Sequence, residues 1–335
     1  MAKIAFVTGA SGCVGRQLID ELVADGWDIT ALLLPGQFNP FDKSVSVRSI
    51  FGDVTNIPPR VVPIGAVIFH LAAKVHSVPK TDKERNEFFV VNNNGTANIA
   101  RNAVAREANG FVFISTVAVY GSRVQNSHCD EKADTCPISV YGHSKLKAEI
   151  SAREILAGRV PYVILRPCVV YGPGDTGNFI SLVDWIVNKR LPCPLLDGGK
   201  SRKNIIHVRD LARVLVYFGE NVIVNDGQIF NVANPDSLTM CDIVKTINEV
   251  TDVDITTINI PGWLLKPLAI FGDVLGLVLR REFLFSSRKL DVLISDAVVD
   301  TGKLHSELRG RIAFLQLKDG LNQLLKTGNN PIVSK

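Results

Sequence analysis

What the chain lacks narrows its identity first. Its six cysteines (Cys13, Cys129, Cys136, Cys168, Cys193 and Cys241) form no C-x-x-C pair, and none has a histidine at zinc spacing. That argues against a structural zinc site and against a disulfide-stapled scaffold, so a reduced, cytoplasmic chain with no metal is expected. Charge of one sign is scarce. The 37 Lys and Arg residues nearly balance the 33 Asp and Glu, leaving a dispersed +4 that gives no footprint for a nucleic-acid partner. Internal repeats and low-complexity tracts are absent, and no apolar run behind a basic stretch suggests a signal peptide. The most apolar stretch, Trp263 to Leu279, is interrupted by Lys266, Pro267, Asp273 and two glycines, and is short for a membrane span. What remains, at 335 residues with 46% hydrophobic and 21% charged, is an ordinary globular composition with room for two domains.

The informative stretch comes at once. Ile4 to Val7 is an apolar run of strand length, followed by Gly9, Gly12 and Gly15. Val14, Leu18 and Leu22 then recur at helical spacing, with Ile19 and Val23 beside them. Gly26 stands where a helix C-terminus favours a left-handed residue. The stretch reads strand, glycine turn, helix. In such a turn Gly9 allows a sharp reversal, Gly12 lets a diphosphate approach the backbone, and Gly15 lets helix and strand pack closely. The helix N-terminus offers N–H groups and a positive dipole end to the phosphates.

Further strands are expected at Ile29–Leu34, Val47–Phe51, Val67–Leu71, Phe111–Ile114 and Tyr162–Leu165, with largely helical sequence from Lys80 to Arg106, interrupted near Asn92 to Thr96. Alternation of this kind predicts an α/β, doubly wound parallel sheet with ligands at the carboxyl ends of its strands. Gly9, Asp53, Ala72 and Ser115-Thr116 all fall at such ends. The second strand ends in Leu34-Pro35-Gly36, with neither the acid that marks NAD nor the base that marks NADP. The missing arginine favours NAD and leaves NADP open. Tyr141 and Lys145 are four apart on a helix predicted to run to about Ala157, so they share a face. A neighbouring ammonium is expected to lower the phenol's pKa, and Thr116 to hold a substrate oxygen beside it. That apparatus moves a proton on or off a carbinol while a hydride goes to or from nicotinamide.

With these residues the chain resembles an extended short-chain dehydrogenase/reductase of the NAD-dependent epimerase/dehydratase family. The matching stretches run from residue 3 to about 215. They comprise the three glycines, Gly52-Asp53, His70-Leu71-Ala72-Ala73, Val91-Asn92 with Gly95-Thr96, Ser115-Thr116 with Val119-Tyr120-Gly121, Tyr141 with Lys145, Arg166-Pro167 with Val170 to Gly174, and Ile206-His207-Val208 with Asp210. The resemblance implies a catalytic set of Thr116, Tyr141 and Lys145. It implies cofactor contacts from Gly9, Ser11, Gly12, Cys13, Val14, Gly15, Asp53, Val54, Leu71, Ala72, Ala73, Asn92, Tyr141, Lys145 and Cys168. Substrate contacts are expected from Lys74, Thr116, Tyr141, Asn178, Arg202 and Lys203. Two departures stand out. No charged residue follows the second strand, and Lys203 occupies the place, four before His207, where the family often has arginine.

Residues 1–170 are expected to form the dinucleotide-binding domain, with 204–233 returning to it. The strand Ile205–Val208 should rejoin the main sheet, and 171–335 should form most of a smaller substrate domain. The expected activity is epimerisation or 4-keto reduction at C4 of a nucleotide- or polyprenyl-diphosphate-linked sugar, by a homodimer. Val117-Ala118 stands where dehydratases of the family usually carry an Asp-Glu pair, which argues against 4,6-dehydration. The alternatives are a sterol- or flavonoid-type alcohol dehydrogenase and a non-catalytic dinucleotide sensor. A further expectation is peripheral contact of Trp263–Leu279, with Arg280 and Arg281, at the inner membrane face.

Overall fold

In the computed structural model, which describes residues 3–75, 77, 79–121, 124, 129–175, 177–187, 192–251, 255–265, 267 and 296–326, seven parallel strands form one sheet. They are β1 (Ile4–Thr8), β2 (Asp28–Leu33), β3 (Val47–Phe51), β4 (Val67–His70), β5 (Gly110–Ile114), β6 (Tyr162–Pro167) and β11 (Gln228–Val232), in the order β11-β6-β5-β4-β1-β2-β3. The order reverses between β1 and β4, which creates the crevice where such sheets bind ligands.

Both faces of the sheet are covered. On one, Ala5 and Val7 of β1 join Leu18, Ile19 and Leu22 of α1 (Cys13–Ala24) and Leu211, Val214, Leu215 and Phe218 of a helix at Val208–Glu220 in one buried cluster. On the other, Phe6 packs with Ile99, Ala100 and Ala103 of a helix at Gly95–Ala105 and with Ala148, Ala152 and Leu156 of a helix at Val140–Leu156. The alternation of Ala5, Phe6 and Val7 between two cores is the period-two geometry of a strand buried on both faces.

In chain order these helices are α3 (Gly95–Ala105), α4 (Val140–Leu156) and α6 (Val208–Glu220), after α2 (Asp82–Phe89) and flanking α5 (Asn178–Val187). A single π turn, Val90–Asn94, joins α2 to α3. It accounts for the interruption read near Asn92, since an inserted residue shifts the helical face without breaking the helix. Ser139 caps α4, its hydroxyl accepting from Gly142 N at 3.0 Å. Asp25 ends α1, and Gly26 takes the left-handed φ of +73°.

One strand departs from expectation. β10 (Ile205–His207) pairs in parallel with β7 (Val169–Tyr171) rather than joining the seven-stranded sheet. β11 already occupies the place beside β6, from Gln228↔Val163 to Val232↔Pro167, and Cys168 N continues that ladder to Val232 O at 3.0 Å. The chain then turns away, and β7 pairs elsewhere. A separate buried cluster gathers Tyr171, Phe179, Val183 and Ile186 with Ile243 and Ile247 of α7 (Met240–Thr251) and Leu321 and Leu324 of a final helix, Leu317–Lys326. The stretch Trp263–Leu279 lies, beyond Pro267, outside the described residues, as do Arg280 and Arg281. Among the described residues no helix is long and apolar enough to cross a membrane.

Candidate active site

The glycine turn sits at the reversal point of the sheet. Gly9 has φ +69°, and a Cβ there would lie 2.7 Å from Ala72 N, so the turn is pressed against the end of β4. A Cβ on Gly15 would run into the Gly9 carbonyl oxygen and the Ala10 backbone, the close helix–strand approach that its position demanded. Gly12 differs. A Cβ there would meet only Gly9 O, at 3.3 Å, and otherwise open space. No side chain caps α1 at Gly12. An open, uncapped helix N-terminus with a bare backbone fits a dinucleotide diphosphate.

Around this cradle, Thr8 ties β1 to β4. Its hydroxyl accepts from Leu71 N and Ala72 N, each at 3.2 Å, and meets His70 Nδ1 at 2.8 Å. His70 is buried, and burial pushes its pKa down to about 3, so it is a neutral structural group whose Nε2 meets Thr96 Oγ1 at 2.9 Å. Asp53 uses Oδ1 to hold its own turn, accepting from Thr55 N at 2.9 Å and Thr55 Oγ1 at 2.8 Å, which leaves Oδ2 for a ligand. Val54 is buried in the core against Gly95. Cys13, the first residue of α1, donates its thiol to Pro173 O at 3.3 Å. Burial pushes that thiol up to about 12, so it is a packing group and not a nucleophile at neutral pH. Burial likewise raises Cys168. Val14 and Leu71 pack against the first core cluster, and Ala73 follows the 70–72 strand end. Ser11 donates its hydroxyl to Gln37 Oε1 at 2.7 Å, a contact with a residue that the sequence reading passed over.

The catalytic candidates meet at the end of β5. The Thr116 hydroxyl lies beside the Tyr141 phenol, and its oxygen accepts from Ala118 N at 3.2 Å. The neighbouring Ser115 is turned inward and donates to Glu149 Oε1 at 2.5 Å. Of the two hydroxyls at this strand end, Thr116 is therefore the one beside Tyr141. Glu149 lies one turn beyond Lys145 on α4 and is held by Arg166 through Nε at 2.9 Å and Nη2 at 2.7 Å, all fully buried. Arg166 Nη1 donates to Tyr120 Oη at 2.8 Å, which donates in turn to Asn231 Oδ1 at 2.7 Å. This buried network locks the floor under the catalytic helix.

Tyr141 is harder to ionise than its spacing from Lys145 suggested. Burial pushes its phenol up to about 12, and the neighbouring Thr116 hydroxyl opposes this only partly. Lys145 is itself buried, with Nζ 4.2 Å from the Phe113 ring centroid, and burial pushes it down to about 7 against the pull of Glu149. The cause is desolvation of both groups, which outweighs the attraction that their spacing suggested.

Asn92, fully buried in the π turn, binds Lys74 N through Oδ1 at 2.6 Å and Ser144 Oγ through Nδ2 at 2.8 Å. It clamps the strand end to the catalytic helix. Lys74 directs its ammonium to Glu87 at 2.6 Å. Arg202 and Lys203 form β9, paired with β12 (Leu238–Thr239), and the Arg202 guanidinium turns onto Ser237 Oγ and O, each at 2.9 Å. Asn178 opens α5. Those Arg202 side-chain bonds go to Ser237 and not to Thr116 or Tyr141, and among the described residues no group of acids, histidines and cysteines could hold a metal.

Comparison with known proteins shows the family and the fold. The model of the NAD dependent epimerase/dehydratase family matches residues 5–233. The chain is 26% identical to a UDP-glucose 4-epimerase of Vibrio cholerae over 82% of its own length and 83% of the relative. It is also 26% identical to an N-acetyl-alpha-D-glucosaminyl-diphospho-ditrans,octacis-undecaprenol 4-epimerase of Escherichia coli O157:H7, over 95% of this chain and 93% of the other. Among solved structures, the UDP-glucuronic acid 4-epimerase of Bacillus cereus, in complex with UDP-glucuronic acid and NAD, shares the fold at TM-score 0.73, with 20% identity and coverage of 96% and 97%.

Proposed function

The chain belongs to the NAD dependent epimerase/dehydratase family, and from that premise we propose that it transfers a hydride at C4 of a diphosphate-linked sugar, interconverting C4 epimers or reducing a 4-keto sugar. The observation that carries this reading is the pair formed by Thr116 and Tyr141 at the end of β5, with buried Lys145 one turn further along α4. It lies at the same edge of the sheet as the open glycine turn.

NAD, when bound, takes up or supplies the hydride. The residues that would hold it are the backbone at Gly12 to Gly15, Asp53 through its free oxygen, and the strand end at Leu71 to Ala73. Tyr141 is protonated at neutral pH, so it donates its proton to the C4 oxygen in the reducing direction and takes it back in the oxidising one. Thr116 binds that same oxygen and orients it. Lys145 supplies positive charge behind the phenol when protonated, and its pKa near 7 makes that charge sensitive to small changes in the site. Val117 and Ala118 place no carboxylate beside the substrate, which supports epimerisation or reduction over 4,6-dehydration.

The carrier is a nucleoside diphosphate or a polyprenyl diphosphate, and the two relatives named above support one each. The cluster built from α5, α7 and the final helix is proposed to hold the sugar end. Purified protein offered UDP-sugars should interconvert C4 epimers with no net dinucleotide consumption, or consume one reduced dinucleotide per 4-keto sugar. Oxidation of a sterol or flavonol alcohol, with no reaction on any sugar diphosphate, would instead support an alcohol dehydrogenase.

A further inference from the structure

The carboxyl end of β2 carries no charged residue, yet the structure builds something there. Leu34 to Gln37 forms a tight turn, closed by Gln37 N to Leu34 O at 3.1 Å with Gly36 at φ +83°. The turn brings the exposed Gln37 side chain over the glycine cradle, where Ser11 donates to its Oε1 at 2.7 Å. With that oxygen engaged, the carboxamide presents its NH2 outward, and no partner for it is present among the described residues. Arg16 holds the same Ser11 from the other side, donating Nε to Ser11 O at 2.8 Å. Its remaining N–H groups also have no partner among the described residues. Ser11, Gln37 and Arg16 thus form a cluster with no carboxylate, at the place where a dinucleotide fold reads the adenosine ribose.

We propose that Gln37, fixed by Ser11 and flanked by Arg16, is the residue that reads the adenosine ribose, and that this neutral reader admits NADP nearly as well as NAD. The inference rests on the dinucleotide-binding reading above. An acid at this place repels a 2′-phosphate and a base selects it. A carboxamide N–H can donate either to a ribose hydroxyl or to a phosphate oxygen, without the repulsion an acid would bring or the full charge of a base. The Arg16 guanidinium offsets the cost of a second phosphate without demanding one. The single side chain at position 37 therefore sets the selectivity.

The test is a calorimetric titration of the purified full chain with NAD and with NADP. For wild type the two dissociation constants should agree within about tenfold, since no full charge at position 37 discriminates between them. Gln37→Asp should weaken NADP relative to NAD by about tenfold or more, and Gln37→Arg should shift the ratio as far the other way. The turn is exposed, so both variants should melt with wild type. Binding of both dinucleotides with a ratio that neither substitution moves, or a wild-type preference well beyond tenfold, would overturn the inference and leave the cofactor reading intact. Failure of the folded wild type to bind either dinucleotide would overturn the cofactor reading and this inference together.

Discussion

Replacing Lys145 by Met should stabilise the protein near neutrality while removing its activity, and the stabilisation should depend on pH in a defined way. Lys145 is 1% exposed, and its pKa falls from 10.5 to about 7 on folding. A lysine depressed in the folded state binds fewer protons folded than unfolded between those two values. Its burial therefore costs stability in full below pH 7, and the cost disappears as pH rises towards 10.5. The shift corresponds to about 5 kcal/mol at pH 6, falling to about 2 kcal/mol at pH 9. The Nζ–Phe113 contact at 4.2 Å returns part of this, on the order of 1 kcal/mol, in the charged form. Met has nearly the same length and no charge to bury, so Lys145→Met should gain a few kcal/mol at pH 6 and distinctly less at pH 9. Urea unfolding of both proteins at the two pH values measures this, because groups not coupled to Lys145 cancel in the difference. A variant less stable than wild type at pH 6, or a difference that does not change with pH, would refute the desolvation argument.

Four further outcomes follow from the same geometry. Tyr141→Phe should lower turnover by at least about a hundredfold and leave dinucleotide affinity within about threefold, as kinetics beside a binding titration would show. Near-normal turnover would remove Tyr141 from its role. Gly12→Val should fold, because its Cβ meets only Gly9 O at 3.3 Å, yet lose dinucleotide binding, whereas Gly15→Ala should lose about 2 kcal/mol or more of stability through its clash with the Gly9 carbonyl. Unchanged affinity in the first or an unchanged melting temperature in the second would contradict the cradle. Glu149→Ala should cost about 3–5 kcal/mol by leaving Arg166 charged and buried without its partner, and a cost under about 1 kcal/mol by denaturant titration would show that water or another acid replaces it.

Much of this was legible in the sequence because it rests on local patterns. The strand–glycine–helix start is readable from local pattern, while Tyr141, Lys145 and the strand-end hydroxyl at Thr116 become readable only together with it and with the family resemblance. That Ser115 plays no part beside Tyr141 follows from its inward hydrogen bond to Glu149. What spacing could not convey was partnership across the fold. Lys74 binds Glu87, and Arg202 binds Ser237, so their charges are engaged with protein groups. Cys13 binds the carbonyl of Pro173, 160 residues away. The Ser11–Gln37 contact joins two turns that meet only once β1 and β2 pair. The sequence does give one hint of that turn, Pro35-Gly36, but nothing local says which side chain it carries to the cofactor. The Tyr141 phenol departs from its expected direction for a related reason. Helical spacing shows which groups are neighbours, while the extent of their burial depends on everything packed around them.

The central claim is hydride transfer at C4 of a diphosphate-linked sugar. The most direct measurement is NMR of UDP-glucose, UDP-N-acetylglucosamine and a polyprenyl-diphosphate N-acetylglucosamine incubated with the purified protein, first with catalytic NAD and then, for the corresponding 4-keto sugars, with stoichiometric reduced dinucleotide. The C4 epimer should appear, or the keto group should be reduced, and Tyr141→Phe should abolish the change. Wild-type protein that binds NAD yet alters no nucleotide- or polyprenyl-diphosphate sugar at C4 under either condition would contradict the claim.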